Sequence, residues 1–187
     1  MTAVLHVLAG PNGAGKSTLA ERVLLPVLHL PFVNADRIAA EIWPAEAEAR
    51  AYDAARLAEA RRRALLDARR SFVTETVFSH ASKTELVRDA SRLGYRVHLH
   101  VILVPLELSL RRVPERAAHG GHSVPPEKIR ERYERLWAHV DDARAIADVT
   151  TVYDNSTART PFKPVARYTQ GELDWSHDWP GWSPLAR

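Results

Sequence analysis

Short runs of β-branched and aliphatic residues alternate along the chain with longer stretches whose apolar positions recur every three to four residues. That alternation is the pattern of a parallel α/β domain. Strands are expected at 4–8, 32–33, 71–78, 95–104 and 149–153. The fourth is the longest and has helical patterns on both sides, which places it at the centre of the sheet. Helices are expected at 15–25, stopped by Pro26, and at 36–42, closed by Pro44. A long exposed helix follows over 46–70, in which Arg61, Arg62 and Arg63 read as a solvated face. Ser82 and Glu85 have the spacing of a capping box that starts the next helix, and Gly94 ends it. Two further helices are expected at 106–118 and 127–147, separated by His119-Gly120-Gly121-His122. Residues 157–187 are rich in turn formers and tryptophan, and are expected to pack as short strands or as an irregular tail over the core. Burial is the favoured role for Trp175, Trp179 and Trp182.

These elements predict one domain over 1–187, a three-layer α/β/α fold with a five-stranded, mainly parallel sheet. The helices around the double glycine form a lid over about 106–132, and the tail begins near 157. A length of 187 residues suits one core. The absence of cysteine excludes disulfides, thiolate metal sites and thiol nucleophiles. The apolar run at 3–9 has no basic lead, is too short to span a bilayer and ends in a glycine-rich turn, so it reads as a strand and not as a signal or membrane segment. A cytoplasmic protein is the expectation. The net charge of +3, from 26 Lys and Arg against 23 Asp and Glu, suits anionic small molecules and nucleic acid equally.

The turn after the first strand supplies the chemistry. Gly10-Pro11-Asn12-Gly13-Ala14-Gly15-Lys16-Ser17 fits the full G-x-x-x-x-G-K-[ST] phosphate loop, set between a strand and a helix, with Thr18 following. Its glycines let successive N–H groups turn toward phosphate, Lys16 reaches the β- and γ-phosphates, and the Ser17 hydroxyl binds Mg2+. The chain contains neither the Leu-Ser-Gly-Gly-Gln signature of transporter ATPases nor the Asn-Lys-x-Asp loop that reads guanine, so ATP is the expected nucleotide.

In a parallel sheet ligands gather beyond the carboxyl ends of the strands. There lie Asn34, Asp36 and Arg37 after the second strand, Glu75 and Thr76 late in the third, and Asp154-Asn155-Ser156 after the fifth. Asp36 is the candidate base for an attacking hydroxyl, with helix N-cap as its competing role. Residues 154–156 are expected to form a turn. Arg112 and Arg116, four apart and so on one helix face, are the candidate γ-phosphate arginines, with Arg130 as a third, while Arg111 and Arg132 fit a solvated face. His119, His122 and His139 match no standard metal spacing, and His98 and His100 read as packed strand residues.

With these residues assembled, the chain resembles the zeta toxin family of P-loop kinases, in its short chromosomal branch. The resemblance rests on the phosphate loop, Phe-Val-Asn-Ala-Asp at 32–36, Phe-Val-Thr-Glu-Thr at 72–76, Arg112-Val113-Pro114-Glu115-Arg116, Gly-Gly-His-Ser-Val-Pro at 120–125 and Tyr-Asp-Asn-Ser at 153–156. It implies a five-stranded parallel kinase core, transfer of the ATP γ-phosphate to a UDP-activated amino sugar such as UDP-N-acetylglucosamine, Asp36 as base, Glu75 on the sugar nucleotide, and a small helical antitoxin as partner. The pattern departs at Val77, where the family reads threonine. Kinases of other hydroxyls, a polynucleotide 5′ end included, and a nucleotide-gated binding module are the alternatives, and nucleic acid is the less expected partner.

Overall fold

The computed structural model describes residues 2–118 and 124–185, so the His119–His122 break lies outside the described residues. Strands β1 (Val4–Ala9), β2 (Phe32–Val33), β3 (Phe72–Thr76), β4 (Arg96–Leu103) and β5 (Val149–Asp154) form a parallel sheet. Two more, β6 (Lys163–Thr169) and β7 (Glu172–Ser176), continue it antiparallel, giving the order β2-β3-β1-β4-β5-β6-β7. β4 lies centrally, as its length and the helices on both sides of it predict. The sheet therefore has seven strands where five are expected. The added pair forms because Val165, Ala166 and Tyr168 are buried on β6, and because Gln170 and Gly171, both at positive φ, close a two-residue hairpin.

Side chains alternate across the strands, so each face acquires its own core. Leu5, Val7 and Ala9 of β1 pack with α3 (Ala35–Ile42), α4 (Ala51–Asp67), α5 (Ser82–Arg92) and α7 (Pro126–Arg144). Leu8, Val73 and Ile102 pack on the other face with the helical segment behind the phosphate loop. That segment consists of α1 (Lys16–Leu19), a π-helical turn over Ala20–Leu24 and α2 (Leu25–Leu28). The remaining helix, α6 (Leu106–Ala118), leads into α7 across the residues not described.

Several boundaries differ from the sequence expectation, and three of them have a clear local reason. Pro26 does not end its helix, because it sits in the first turn of α2, where its missing N–H is no loss and the wider π turn precedes it. The helix ends instead at His29, at a φ of 51°. The long helix starts at Ala51, not at Glu46; the preceding turns are held by Arg50, which pairs with Glu46 and Asp53 and lies over Trp43. Ser82 is the first residue of α5 and not its cap, since its N–H donates to His80 Nδ1 while Glu85 pairs with Arg88. Among the described residues no helix is long and apolar enough to cross a membrane.

Candidate functional site

The turn between β1 and α1 curls around its own carbonyls. Lys16 is buried and its Nζ donates to Gly10 O at 3.0 Å and Pro11 O at 2.9 Å. Burial lowers its pKa, and nearby Arg116 and Arg132 act in the same direction against Glu75 and Asp36. Two glycines are required by space: a Cβ on Gly10 would lie 2.7 Å from Ile102 O, and one on Gly15, whose φ is 92°, would lie 2.8 Å from Asn155 Nδ2. Asn12, Gly13, Gly15, Lys16, Ser17 and Thr18 face a cavity of about 780 Å³, while Pro11 and Ala14 brace the turn through their carbonyls.

The same cavity holds most of the acceptor-side residues. Asn34 is the N-cap of α3, its Oδ1 accepting from Arg37 N at 3.0 Å, so the cap role open to Asp36 is already filled. Asp36 stands in the first turn of α3 and lines the cavity, close enough for its charge to act on both Lys16 and Glu75. Glu75 lines it from β3; burial raises its pKa, while Lys16 and the Ser17 hydroxyl pull it back. Thr76 and Val77 continue that wall. Arg37 is not part of the lining: it sits outside over the Phe32 ring, with Glu21 and Glu41 at 4.0 and 3.9 Å.

The arginines divide differently from their sequence grouping. Arg116 lines the cavity and its charge reaches Lys16 and Glu75. Arg112 also borders it, but its Nη1 donates to Asn155 O at 3.0 Å and approaches Gly13 O at 3.5 Å, so it braces the loop. Arg130 is exposed and absent from the lining; Arg132, read from sequence as a surface residue, faces the cavity instead. The cause is the placement of α7, whose neighbouring Tyr133 is buried with its hydroxyl on Val104 O at 3.0 Å, so Arg132 and Arg130 diverge. Arg62 is likewise no surface residue, being 5% exposed and part of the cavity wall.

Sequence reasoning missed Lys83, and it gave Asn155 only the role of a turn residue. Asn155 is buried, donates through Nδ2 to Ala14 O at 2.8 Å and accepts at Oδ1 from Phe162 N at 3.2 Å, tying the segment after β5 to the phosphate loop. Its position directly beyond a strand's carboxyl end singled it out, but a turn-forming triplet gave no sign that its side chain reaches the phosphate loop. Lys83 lines the cavity from the first turn of α5.

Mg2+ takes only one or two protein oxygens, the others coming from phosphate and water. Ser17 and Glu75 fit that demand: Glu75 Oε2 is buried without a hydrogen-bond partner among the described residues, and the Ser17 hydroxyl lies against the same carboxyl. Among the described residues no group of three or more His, Asp or Glu has the arrangement of a metal cage. His119 and His122 lie outside them.

A family model described as AAA domain matches residues 5–138. No curated protein matches the chain in sequence. The fold is similar to that of a candidate kinase from Chloroflexus aurantiacus J-10-fl (TM-score 0.57, 19% identity, 73% of this chain and 80% of that one). It is also similar to the PezAT chromosomal toxin-antitoxin system of Streptococcus pneumoniae (TM-score 0.61, 16% identity, 87% and 71%). A third likeness is to AvrRxo1-ORF1:-ORF2 with ATP (TM-score 0.60, 19% identity, 92% and 60%). At these identities the likeness is one of fold.

Proposed function

This chain belongs to the AAA domain family, and from that premise we propose that it is an ATP- and Mg2+-dependent kinase of a small-molecule hydroxyl. The observation that carries the reading is the shared cavity: Lys16 and Ser17 at the phosphate end, and Asp36, relieved of capping by Asn34, opening into the same space. A kinase needs a carboxylate there to receive the proton of the attacking alcohol, and Asp36 stands where it can do so.

Each residue then has a task. Lys16 exchanges its loop carbonyls for β- and γ-phosphate oxygens, and the backbone from Asn12 to Ser17 cradles the phosphates. Asp36 accepts the hydroxyl proton as the acceptor oxygen bonds to the γ-phosphorus and the bond from that phosphorus to the β–γ bridging oxygen breaks, releasing ADP. Arg116 and Arg132 neutralise charge on the transferring group, an effect worth about a thousandfold or more in rate where it has been dissected. Ser17 and Glu75 would hold Mg2+, which would supply positive charge against the phosphates. Ala158, Pro161 and Phe162 offer an apolar wall for the adenine.

For the acceptor, a UDP-activated amino sugar such as UDP-N-acetylglucosamine is the first choice, supported by the zeta-like order of motifs and by the fold likeness to PezAT. On the same grounds the chain acts in the cytoplasm as one kinase domain, with a lid over about 106–132, and pairs with a small helical antitoxin. Incubation with γ-labelled ATP, Mg2+ and a panel of UDP-sugars is expected to label a nucleotide sugar; label confined to ATP and free phosphate across the panel would count against that acceptor. Asp36→Asn is expected to slow transfer by about 100-fold or more at unchanged ATP affinity. Lys16→Ala should weaken ATP binding itself, and equal loss of ATP binding in both variants would remove Asp36 from the base role.

A further inference from the structure

The cavity contains a second charge cluster that the kinase reading does not use. Helix α4 turns Ala51, Ala55, Ala58 and Arg62 toward the cavity, a stripe at helical spacing in which three methyl groups lead to one guanidinium. Arg62 is 5% exposed and donates through Nη2 to Glu59 Oε2 at 2.6 Å. Its Nε is buried and has no hydrogen-bond partner among the described residues. Lys83 Nζ approaches the same Glu59 oxygen at 3.6 Å. Burial and the Arg62 charge lower the Lys83 pKa against the pull of Glu59.

Two cations against one carboxylate leave a positive excess, and the carboxylate is the most exposed member, at 56% of its side chain. A structural ion pair would satisfy the buried partner first. Here the buried guanidinium keeps a donor in reserve while a solvent-side carboxylate occupies one arm of its fork. Glu59 thus stands where an incoming anion would bind, and the planar fork of arginine suits a phosphate or carboxylate in two-point contact.

We propose that Arg62 and Lys83 form an anion subsite for the acceptor, so that the alcohol phosphorylated beside Asp36 also carries a phosphate or carboxylate group, its body lying over the Ala51–Ala58 stripe. The proposal deepens the kinase reading and rests on it. It confines the acceptor to anionic alcohols and makes neutral sugars and neutral drugs poor substrates.

The test follows the Arg62 Nε–H signal in ¹H–¹⁵N spectra of the full chain, assigned by its loss in Arg62→Lys. Inorganic phosphate and, separately, acetate are titrated into the wild type and into Lys83→Gln. The expected result is a saturable shift of that signal with at least one anion, whose identity separates the two chemistries, and a Kd weakened about tenfold in Lys83→Gln. A signal unmoved by both anions, movement confined to the Gly10–Ser17 amides, or an unchanged Kd in Lys83→Gln would overturn the proposal. A non-hydrolysable ATP analogue added to the same sample reads the phosphate-loop amides separately. If those fail to move, the kinase reading fails, while the Arg62 signal still reports on the anion subsite.

Discussion

Gly15 concentrates the constraints of the site in one residue. Its φ of 92° is strained for any side chain, and a Cβ there would also meet Asn155 Nδ2 and, at 3.2 Å, the Phe162 ring. Gly15→Ala is therefore expected to cost about 1–3 kcal/mol in urea unfolding and to weaken retention of ATP, because the loop must open to admit the methyl group. Such residues are legible in the sequence since backbone geometry alone dictates them. Asp36 and Glu75 are legible for a related reason: both stand at strand ends, where a parallel sheet gathers its ligands. Arg62, Lys83 and Arg132 were not, because their placement depends on which way a helix is rotated against the sheet. A three-residue arginine run reads as solvated until the alanines at 51, 55 and 58 are seen to turn its middle member inward.

At the scale of elements, the register of β1 against β4 creates a histidine cluster on the sheet face shared with Leu8. His6 lies opposite His98, and its Nδ1 meets His100 Nε2 at 3.1 Å, with Tyr153 OH at 3.3 Å from the other His100 nitrogen. Burial is the main cause that lowers His6 to about 4 and His100 to about 3, with neighbouring histidines adding to it. Both are neutral in the fold and charge in the unfolded chain below pH 6.5, so the unfolded state binds more protons as pH falls. Stability is complete above 6.5 and declines from there toward pH 4, by up to about 1.4 kcal/mol per pH unit for each histidine. Urea unfolding at a series of pH values should show this slope, and His6→Phe should flatten it; an unchanged slope would assign the acid sensitivity to other groups. The alternation of His98 and His100 was visible in sequence, but their junction with His6 was not, since strand register is a tertiary property. The order and type of the parallel strands and helices were legible from periodicity. The π turn around Pro26 and the His80 bond that displaces the Ser82 cap were not, because each depends on a local competition for hydrogen bonds.

On the scale of the whole molecule, the sheet does not stop at β5. Its outer edge is β7, where Glu172 and Asp174 stand exposed, charges that discourage pairing with another chain. Short strands were one of two readings of this region; that they extend the sheet was hidden because tryptophan and proline dominate the sequence there, while the Gln170-Gly171 turn offered the clearest sign. Between β5 and β6 the chain passes the phosphate loop, and there Asn155 bonds at once to Ala14, to Phe162 and, through its N–H, to Leu103. The β6–β7 hairpin thereby hangs from the same residues that brace the phosphate loop. Saturating the loop with an ATP analogue should consequently slow deuterium uptake by amides over 163–176, none of which touches ligand, since whatever steadies Asn155 anchors both ends of that connection. Nucleotide occupancy would then be readable at the far rim of the protein, as slower fraying of its last two strands.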